Sequence, residues 1–338
     1  MPKKIAAFGE VMMRLQVPGF DSLAQSDTLR YTFSGTGVNV ISALSRFGHE
    51  SYLVTTLPDN PLGDAAVAFL RKLGIETTYV SRAGKYIGMY FLENGFGVRP
   101  SRVTYADRQG SSFNRVAAGP YDFSEIAGLA DYVHFCGITL AMNDGVREQM
   151  KRFAAEAKQA GAAIAFDCNY RPALWGEEGY AAAKPHYEEM LALADIVLMN
   201  ERDAMLTLGM GTSERDRTGQ LKELIPQVAR RYGIGTIAGT HRGVNGDNSH
   251  SLTGFMYREG EFVFSDTLTF QVHDRIGAGD AYASGILHGA AKGLPPRETV
   301  EFAAAAAMLA HTVAGDTPIA TEAEVLRAMN GASRDIER

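Results

Sequence analysis

The chain has 338 residues, 46% of them hydrophobic and 21% charged, a balance that fits a folded globular protein and excludes the disordered, fibrous and membrane-spanning classes. Its 33 Lys and Arg against 39 Asp and Glu leave a formal charge of −6, which argues against a surface built to attract nucleic acid or anionic lipid. The length predicts one large core with residues left over for a small appendage.

At the amino terminus, Gly9-Glu10 arrives too early for a secretory apolar segment, and no later window approaches a membrane span. A cytoplasmic protein is expected. Short apolar runs then alternate with longer amphipathic segments, the pattern of parallel strands joined by crossover helices. Ile5 to Phe8 reads as a strand, Val38 to Phe47 as a helix, Ser51 to Leu57 as a strand, and Ala65 to Leu73 as a helix closed by Gly74. Tyr132 to Cys136, Ala163 to Asp167, Ile196 to Met199 and Thr236 to Gly239 read as further strands, with helices near 144–160, 181–193, 202–208 and 218–232 between them. A hairpin-like stretch over 252–272 precedes a small-residue helix beginning near Ala281 and another over 297–312. The predicted fold class is α/β, a sandwich of helices and a parallel sheet.

Two windows break this rhythm. Met12 to Ser34 and Tyr86 to Ser112 alternate polar and apolar residues and are interrupted by Pro18-Gly19, Asn94-Gly95 and Arg99-Pro100, which predicts antiparallel strands. They are expected to form a small β-sheet lid, 12–34 with 86–112, over a core made of 1–11, 35–85 and 113–338. Cys136 and Cys168 sit in apolar runs and read as buried free thiols. The eight histidines show no metal spacing, so His134 and His241 read as structural residues with satisfied ring nitrogens, and Trp175 reads as packing.

The stretch Gly277-Ala278-Gly279-Asp280 carries the clearest chemistry. Small residues at a helix start let consecutive N–H groups converge on an anion. A carboxylate directly after such a nest would repel phosphate, but it suits a base that takes a proton from an attacking hydroxyl. The bland alternative is a glycine turn with Asp280 as an ordinary first-turn carboxylate.

This region, Asp274-Arg275-Ile276-Gly277-Ala278-Gly279-Asp280, resembles the carboxy-terminal signature of the ribokinase-like (PfkB) carbohydrate kinases. The resemblance extends along the chain through Gly9-Glu10, Gly35 with Asn39, Pro58 to Gly63, and Asn200-Glu201-Arg202-Asp203. It implies a doubly wound three-layer α/β/α ribokinase-like core with a small β-sheet lid, ATP and Mg²⁺ as cofactors, Asp280 as base, and Gly277, Ala278 and Gly279 as the phosphoryl nest. Within the family the chain is most similar to 2-keto-3-deoxygluconate kinases, through Gly88 to Glu93, Arg99-Pro100-Ser101, Arg108 near Gly110-Ser111, and Asp167 to Trp175. A sugar acid needs cations that ribose or fructose does not.

By that resemblance Arg108 and Arg171 bind the acid end, Tyr90 packs and hydrogen-bonds from the lid, Gly35 and Asn39 line the sugar floor, and Tyr105 assists. On the nucleotide side it implies Asn200, Thr240, Arg242, Gly243, Gly246, Gly277 and Gly279, with Asp203 holding magnesium through water. Departures from the family pattern are Asp203 for the usual Glu, Ser34 for the first glycine of a Gly-Gly hinge, and Arg275 for the usual Thr; Arg275 and Arg242 are open between touching ATP phosphates and pairing with a nearby carboxylate. The expected activity is ATP-dependent phosphorylation of the 6-hydroxyl of 2-keto-3-deoxygluconate. The alternatives are a same-fold kinase for fructose, ribose or the galactonate epimer, and a catalytically idle sugar-acid sensor. The expected partners are the small-molecule substrates and a second copy in a homodimer, with neither nucleic acid nor membrane.

Overall fold

A computed structural model describes residues 1–115 and 121–331; residues 116–120 and 332–338 of the expected core lie outside the described residues. In chain order the strands are β1 (Lys4–Phe8), β2 (Met12–Gln16), β3 (Arg30–Ser34), β4 (Glu50–Leu57), β5 (Ile75–Glu76), β6 (Val80–Arg82), β7 (Gly88–Glu93), β8 (Arg102–Ala106), β9 (Tyr132–Cys136), β10 (Ala163–Asp167), β11 (Ile196–Leu198), β12 (Thr236–Val244), β13 (His250–Arg258), β14 (Glu261–Phe264) and β15 (Leu268–Phe270). They form a large sheet in the order β14-β13-β12-β11-β10-β9-β1-β4-β5, and a separate four-stranded sheet in the order β3-β2-β7-β8.

From β5 to β12 the large sheet is parallel, and β13 joins β12 antiparallel. Successive side chains on a strand point to opposite faces, so Ile164 and Phe166 of β10 pack with Phe8, Phe135 and Phe153 on one side. Ala165, from the same strand, packs with Tyr282, Ile286 and Phe302 on the other. Helices cover both faces, among them Thr36–Arg46, Asp144–Gln159, Arg217–Tyr232, Ala278–Lys292 and Pro296–Ala310. The expected α/β/α layering is therefore the fold. Cys136 and Cys168 are buried and free.

Four local expectations need correction. The small sheet is not wholly antiparallel, because β2 pairs with β7 in parallel. Each of these strands leaves the carboxyl-end edge of the large sheet, so both run outward in the same direction. Strand β12 continues past Gly239 to Val244, since each residue of Thr240–Val244 finds a partner on β13. Residues 202–208 hold a wide helical turn, Asp203–Thr207, of a kind common at functional sites. The helix expected near Ala281 begins at Ala278, which puts the glycine nest in its first turn.

A fifth correction concerns His134. It is buried in β9 and both ring nitrogens lack a hydrogen-bond partner among the described residues. Burial pulls its pKa down to about 4, so the ring is neutral. His241 does find a partner, with Nε2 3.0 Å from Glu201.

Candidate active site

The order of the large sheet reverses beside β1, with β4 on one side and β9 on the other, and such a reversal opens a crevice at the carboxyl ends of the strands. Here the chain places Glu10 after β1, Asp167 and Asn169 at the end of β10, and Asn200 after β11. The small sheet stands over this edge. Two cavities result, of about 780 Å³ and about 540 Å³, and Asp167, Asn169, Arg171, Thr240, Arg242 and Gly279 line both. They are two halves of one cleft.

The helix Ala278–Lys292 starts where the halves meet. Gly277 caps it at φ 81° with no side chain on the cap, and a Cβ there would stand 1.7 Å from the carbonyl oxygen of Asp316. Torsion and space both require glycine. A Cβ on Gly279 would meet nothing within 4 Å, so the first-turn N–H groups, which have no intrahelical partner, open onto the cleft. Their partial positive charge suits an anion.

Asp280 follows in the same turn, 7% exposed, and accepts a hydrogen bond of 2.7 Å from Asn39 Nδ2. Burial pushes its carboxyl up to about 8, against the pull of the Asn39 bond; the charges of Asp167 and Asp316 push the same way as burial, and Arg171 opposes. Asp167 is pushed up to about 7 by burial and then by Asp203. Asp203 accepts the Asn200 N–H at 2.9 Å and is itself pushed up to about 6, mainly by burial. Three poorly solvated carboxyl groups therefore surround the nest. A raised pKa near neutrality is what a general base needs.

The larger cavity gathers Gly35, Asn39, Tyr90, Tyr105, Arg108, Arg171 and Asp280 around the nest. Gly35 lets the first helix approach the end of β1, since a Cβ there would lie 2.1 Å from the Glu10 carbonyl oxygen. Arg108 is 9% exposed and donates from Nε to Glu10 at 2.6 Å, while Nη1 is buried without a partner among the described residues. Ser111 and Asn114 hold the other oxygen of Glu10 at 2.7 and 3.2 Å. Arg171 is exposed, lines both halves of the cleft, and its one hydrogen bond among the described residues goes to the Tyr170 carbonyl, at 3.5 Å. Tyr90 lines this cavity from the small sheet, and its hydroxyl donates to Asp316, which lines the same cavity.

The smaller cavity gathers Asn200, Asp203, Thr240 and Arg242. Gly243 and Gly246 are not brought there, since Gly243 pairs with Ser251 across β12 and β13 and Gly246 lies in the turn beyond. Among the described residues, the side chain of Arg242 hydrogen-bonds to His311, Nη1 to Nε2 at 3.5 Å. Neither Arg242 nor Arg275 has an acidic partner among the described residues, and both line the larger cavity. Trp175 packs in parallel with Tyr170 and His186.

In the sequence, Glu10 and Asp167 belong to motifs that assign neither of them a role, and nothing local marks Arg14 or Asp316. Asp167 had a signal, as the last residue of an apolar strand in a parallel sheet. The helix Glu322–Met329 had one too, in the capping box of Thr321 with Glu324.

An anion nest, a buried carboxylate at its edge, cationic side chains without acidic partners and a covering sheet are the parts of an enzyme that transfers a phosphoryl group to a hydroxyl. Residues 2–323 match the pfkB family carbohydrate kinase model, and the chain belongs to that family. It is 30% identical over 339 residues to the 2-dehydro-3-deoxygalactonokinase of Haloferax volcanii, covering 100% of each chain. It is 30% identical over 331 residues to the 2-dehydro-3-deoxygluconokinase of Thermoproteus tenax, covering 95% of this chain and 93% of that one. The crystal structure of the 2-dehydro-3-deoxygluconokinase of Thermotoga maritima superposes with a TM-score of 0.93 at 32% identity, over 98% of this chain and 99% of that one.

Proposed function

We propose that this carbohydrate kinase acts on a 2-keto-3-deoxy sugar acid, transferring the terminal phosphoryl group of ATP to the 6-hydroxyl of 2-keto-3-deoxygluconate. The observation that carries the reading is Arg108, whose buried Nη1 has no partner among the described residues and which lines the same cavity as Asp280 and Arg171. A free donor of this kind costs stability unless a ligand satisfies it, and a carboxylate satisfies it best. The kinase names of the Thermoproteus and Thermotoga relatives support the gluconate form. The Haloferax relative, matched over the whole chain, favours the galactonate epimer as the second reading.

In this reading Arg108 and Arg171 hold the acid end, Gly35 and Asn39 form the floor, and Tyr90 and Tyr105 pack from the small sheet. Asp280 accepts the proton of the 6-hydroxyl while the first-turn N–H groups of Gly277, Ala278 and Gly279 stabilise charge on the transferring oxygens. Thr240, Arg242 and Asn200 face the nucleotide. Mg²⁺, held through water by Asp203 beside Asp167, offsets triphosphate charge when bound. Burial raises both carboxyls, and the charge of Asp203 raises Asp167 further, a setting that fits a cation; among the described residues no three-residue metal cluster replaces it. The small sheet, with residues 12–34 and 86–112, is read as a lid that keeps water from competing with the sugar. We read the enzyme as a cytoplasmic homodimer.

The test is a panel of 2-keto-3-deoxygluconate, its galactonate epimer, fructose and ribose, assayed with ATP and Mg²⁺. The reading requires kcat/KM to be highest on a keto-deoxy acid, with the product phosphorylated at O6. A neutral sugar as the best substrate overturns it.

A further inference from the structure

Arg14 is the largest fully buried side chain of the described residues, 1% exposed, and it belongs to the small sheet while its acidic partners belong to the core. Nη2 donates to Asp274 at 2.8 Å and to Gln16 at 2.6 Å, and Nη1 donates to Asp316. Those two aspartates lie on the segments that frame the nest. Asp274 accepts the Ile276 N–H at 3.1 Å and the Gly315 N–H at 3.2 Å, so it ties the approach to the nest to the segment before Asp316. The Asp316 carbonyl is the group packed against Gly277. Its carboxylate also takes hydrogen bonds from Ser34, at 2.8 Å, and from Tyr90. One residue on, Thr317 reaches the Asn39 that holds Asp280.

Arg14, Ser34, Tyr90, Asp274, Asp280 and Asp316 are all buried, and the Arg14 guanidinium is the only cation among them. Without it, two carboxylates would face each other beside the nest in a poorly solvated setting, which is strongly unfavourable. A planar fork with fixed donor directions can bind both at a set separation, where a point charge cannot.

We propose that Arg14 is a positioning residue for the phosphoryl nest: by holding Asp274 and Asp316 together from the small sheet, it sets the backbone around Gly277 and makes the nest complete only while that sheet is docked. This rests on the reading of Gly277 to Gly279 as the phosphoryl site. Ser34 acquires a reason as well. A hydroxyl at the point where the small sheet re-enters the core adds a donor to Asp316 that a glycine lacks.

The experiment compares the full-length protein with Arg14→Met, Arg14→Lys and the charge-balanced pair Arg14→Met with Asp316→Asn, which remains informative if the single Met variant does not fold. Steady-state kinetics should show kcat falling about 10²-fold in the Met variant with KM for the sugar nearly unmoved, the size expected when reacting groups are displaced by about an ångström. Millimolar guanidinium should restore part of kcat in that variant and add nothing to the wild type. The Lys variant should fall between the two, and the charge-balanced pair should stay slow. Hydrogen exchange on the unliganded proteins should show residues 274–280 and 312–317 opening faster in the Met variant together with 12–16. Unchanged kcat in a folded variant, a loss confined to KM, or absence of guanidinium rescue overturns the proposal. If the wild type phosphorylates nothing while the exchange windows still move together, the kinase reading fails and the coupling stands. If the wild type turns over but the windows exchange alike, the coupling fails and the kinase reading stands.

Discussion

In the large sheet, Val133, Phe135, Ile164 and Phe166 are fully buried among other apolar side chains. In the small sheet, the face over the cleft buries only Met12, Tyr90 and Leu92 as an apolar group, with Ile276 packed against it, and the rest of that face is closed by Arg14 and its aspartates. The other face is better provided, with Met13 and Phe33 joined to Leu57 and Leu70 of the core. Apolar burial is non-directional and tolerates small shifts, whereas a buried ion pair is satisfied in one geometry and costly in others. On the proposed reading of the small sheet as a lid, the core is the part that stays and the cleft face of that sheet the part that engages or releases as a unit. The chemistry sits on the boundary, where the nest belongs to the core and the groups that surround it belong to both.

The largest effect that could break this comparison is at Asp280. Asp280→Asn keeps shape and removes proton acceptance, so turnover should fall about 10²–10⁴-fold while the fold and nucleotide binding persist; near-normal kcat would remove Asp280 from its role. The same residue fixes a pH dependence. With its carboxyl near 8 in the unliganded protein, the working, deprotonated form accumulates as pH rises, so kcat/KM should climb through that region and the climb should vanish from the residual rate of the Asn variant. For stability the sign is opposite, since between the unfolded value near 3.9 and about 8 the folded state binds more protons than the unfolded one, and stability declines as pH rises. Asp280→Asn should therefore melt higher than the wild type at pH 8.

A smaller effect sharpens the contrast between the core and the small sheet. Phe153, fully buried against Phe123 and Phe135, should cost about 3–5 kcal/mol when truncated to Ala. Val103, on the exposed strand β8, should cost less than about 0.5 kcal/mol. Denaturant titration of the two variants decides it, and equal losses would mean that the small sheet carries global stability after all.

Much of the core was legible because its signals are local. The strands β9 and β10 are bounded where their apolar runs begin and end, and the nest is four adjacent residues. The small sheet was legible as an interruption but not in its pairing, which depends on where both strands leave the core. Arg14 was invisible for a different reason. In the alternation Met12-Met13-Arg14-Leu15-Gln16 it reads as a solvent-facing residue, and its partners are 260 and 302 positions away. Glu10 was seen as part of a motif, yet its contact with Arg108 spans 98 positions, and nothing local marks it as an ion pair.

The central claim, that the cleft is built for a sugar acid, is tested most directly by the ratio of kcat/KM on 2-keto-3-deoxygluconate to kcat/KM on fructose, measured for the wild type, Arg108→Met and Arg171→Met. Hydrogen bonds to a charged group contribute roughly 1.5–3 kcal/mol each, so each Met variant should lower the ratio by about tenfold or more, chiefly through KM on the acid, with little change on fructose. Equal proportional losses on both sugars would make the arginines structural or nucleotide-facing and contradict the account.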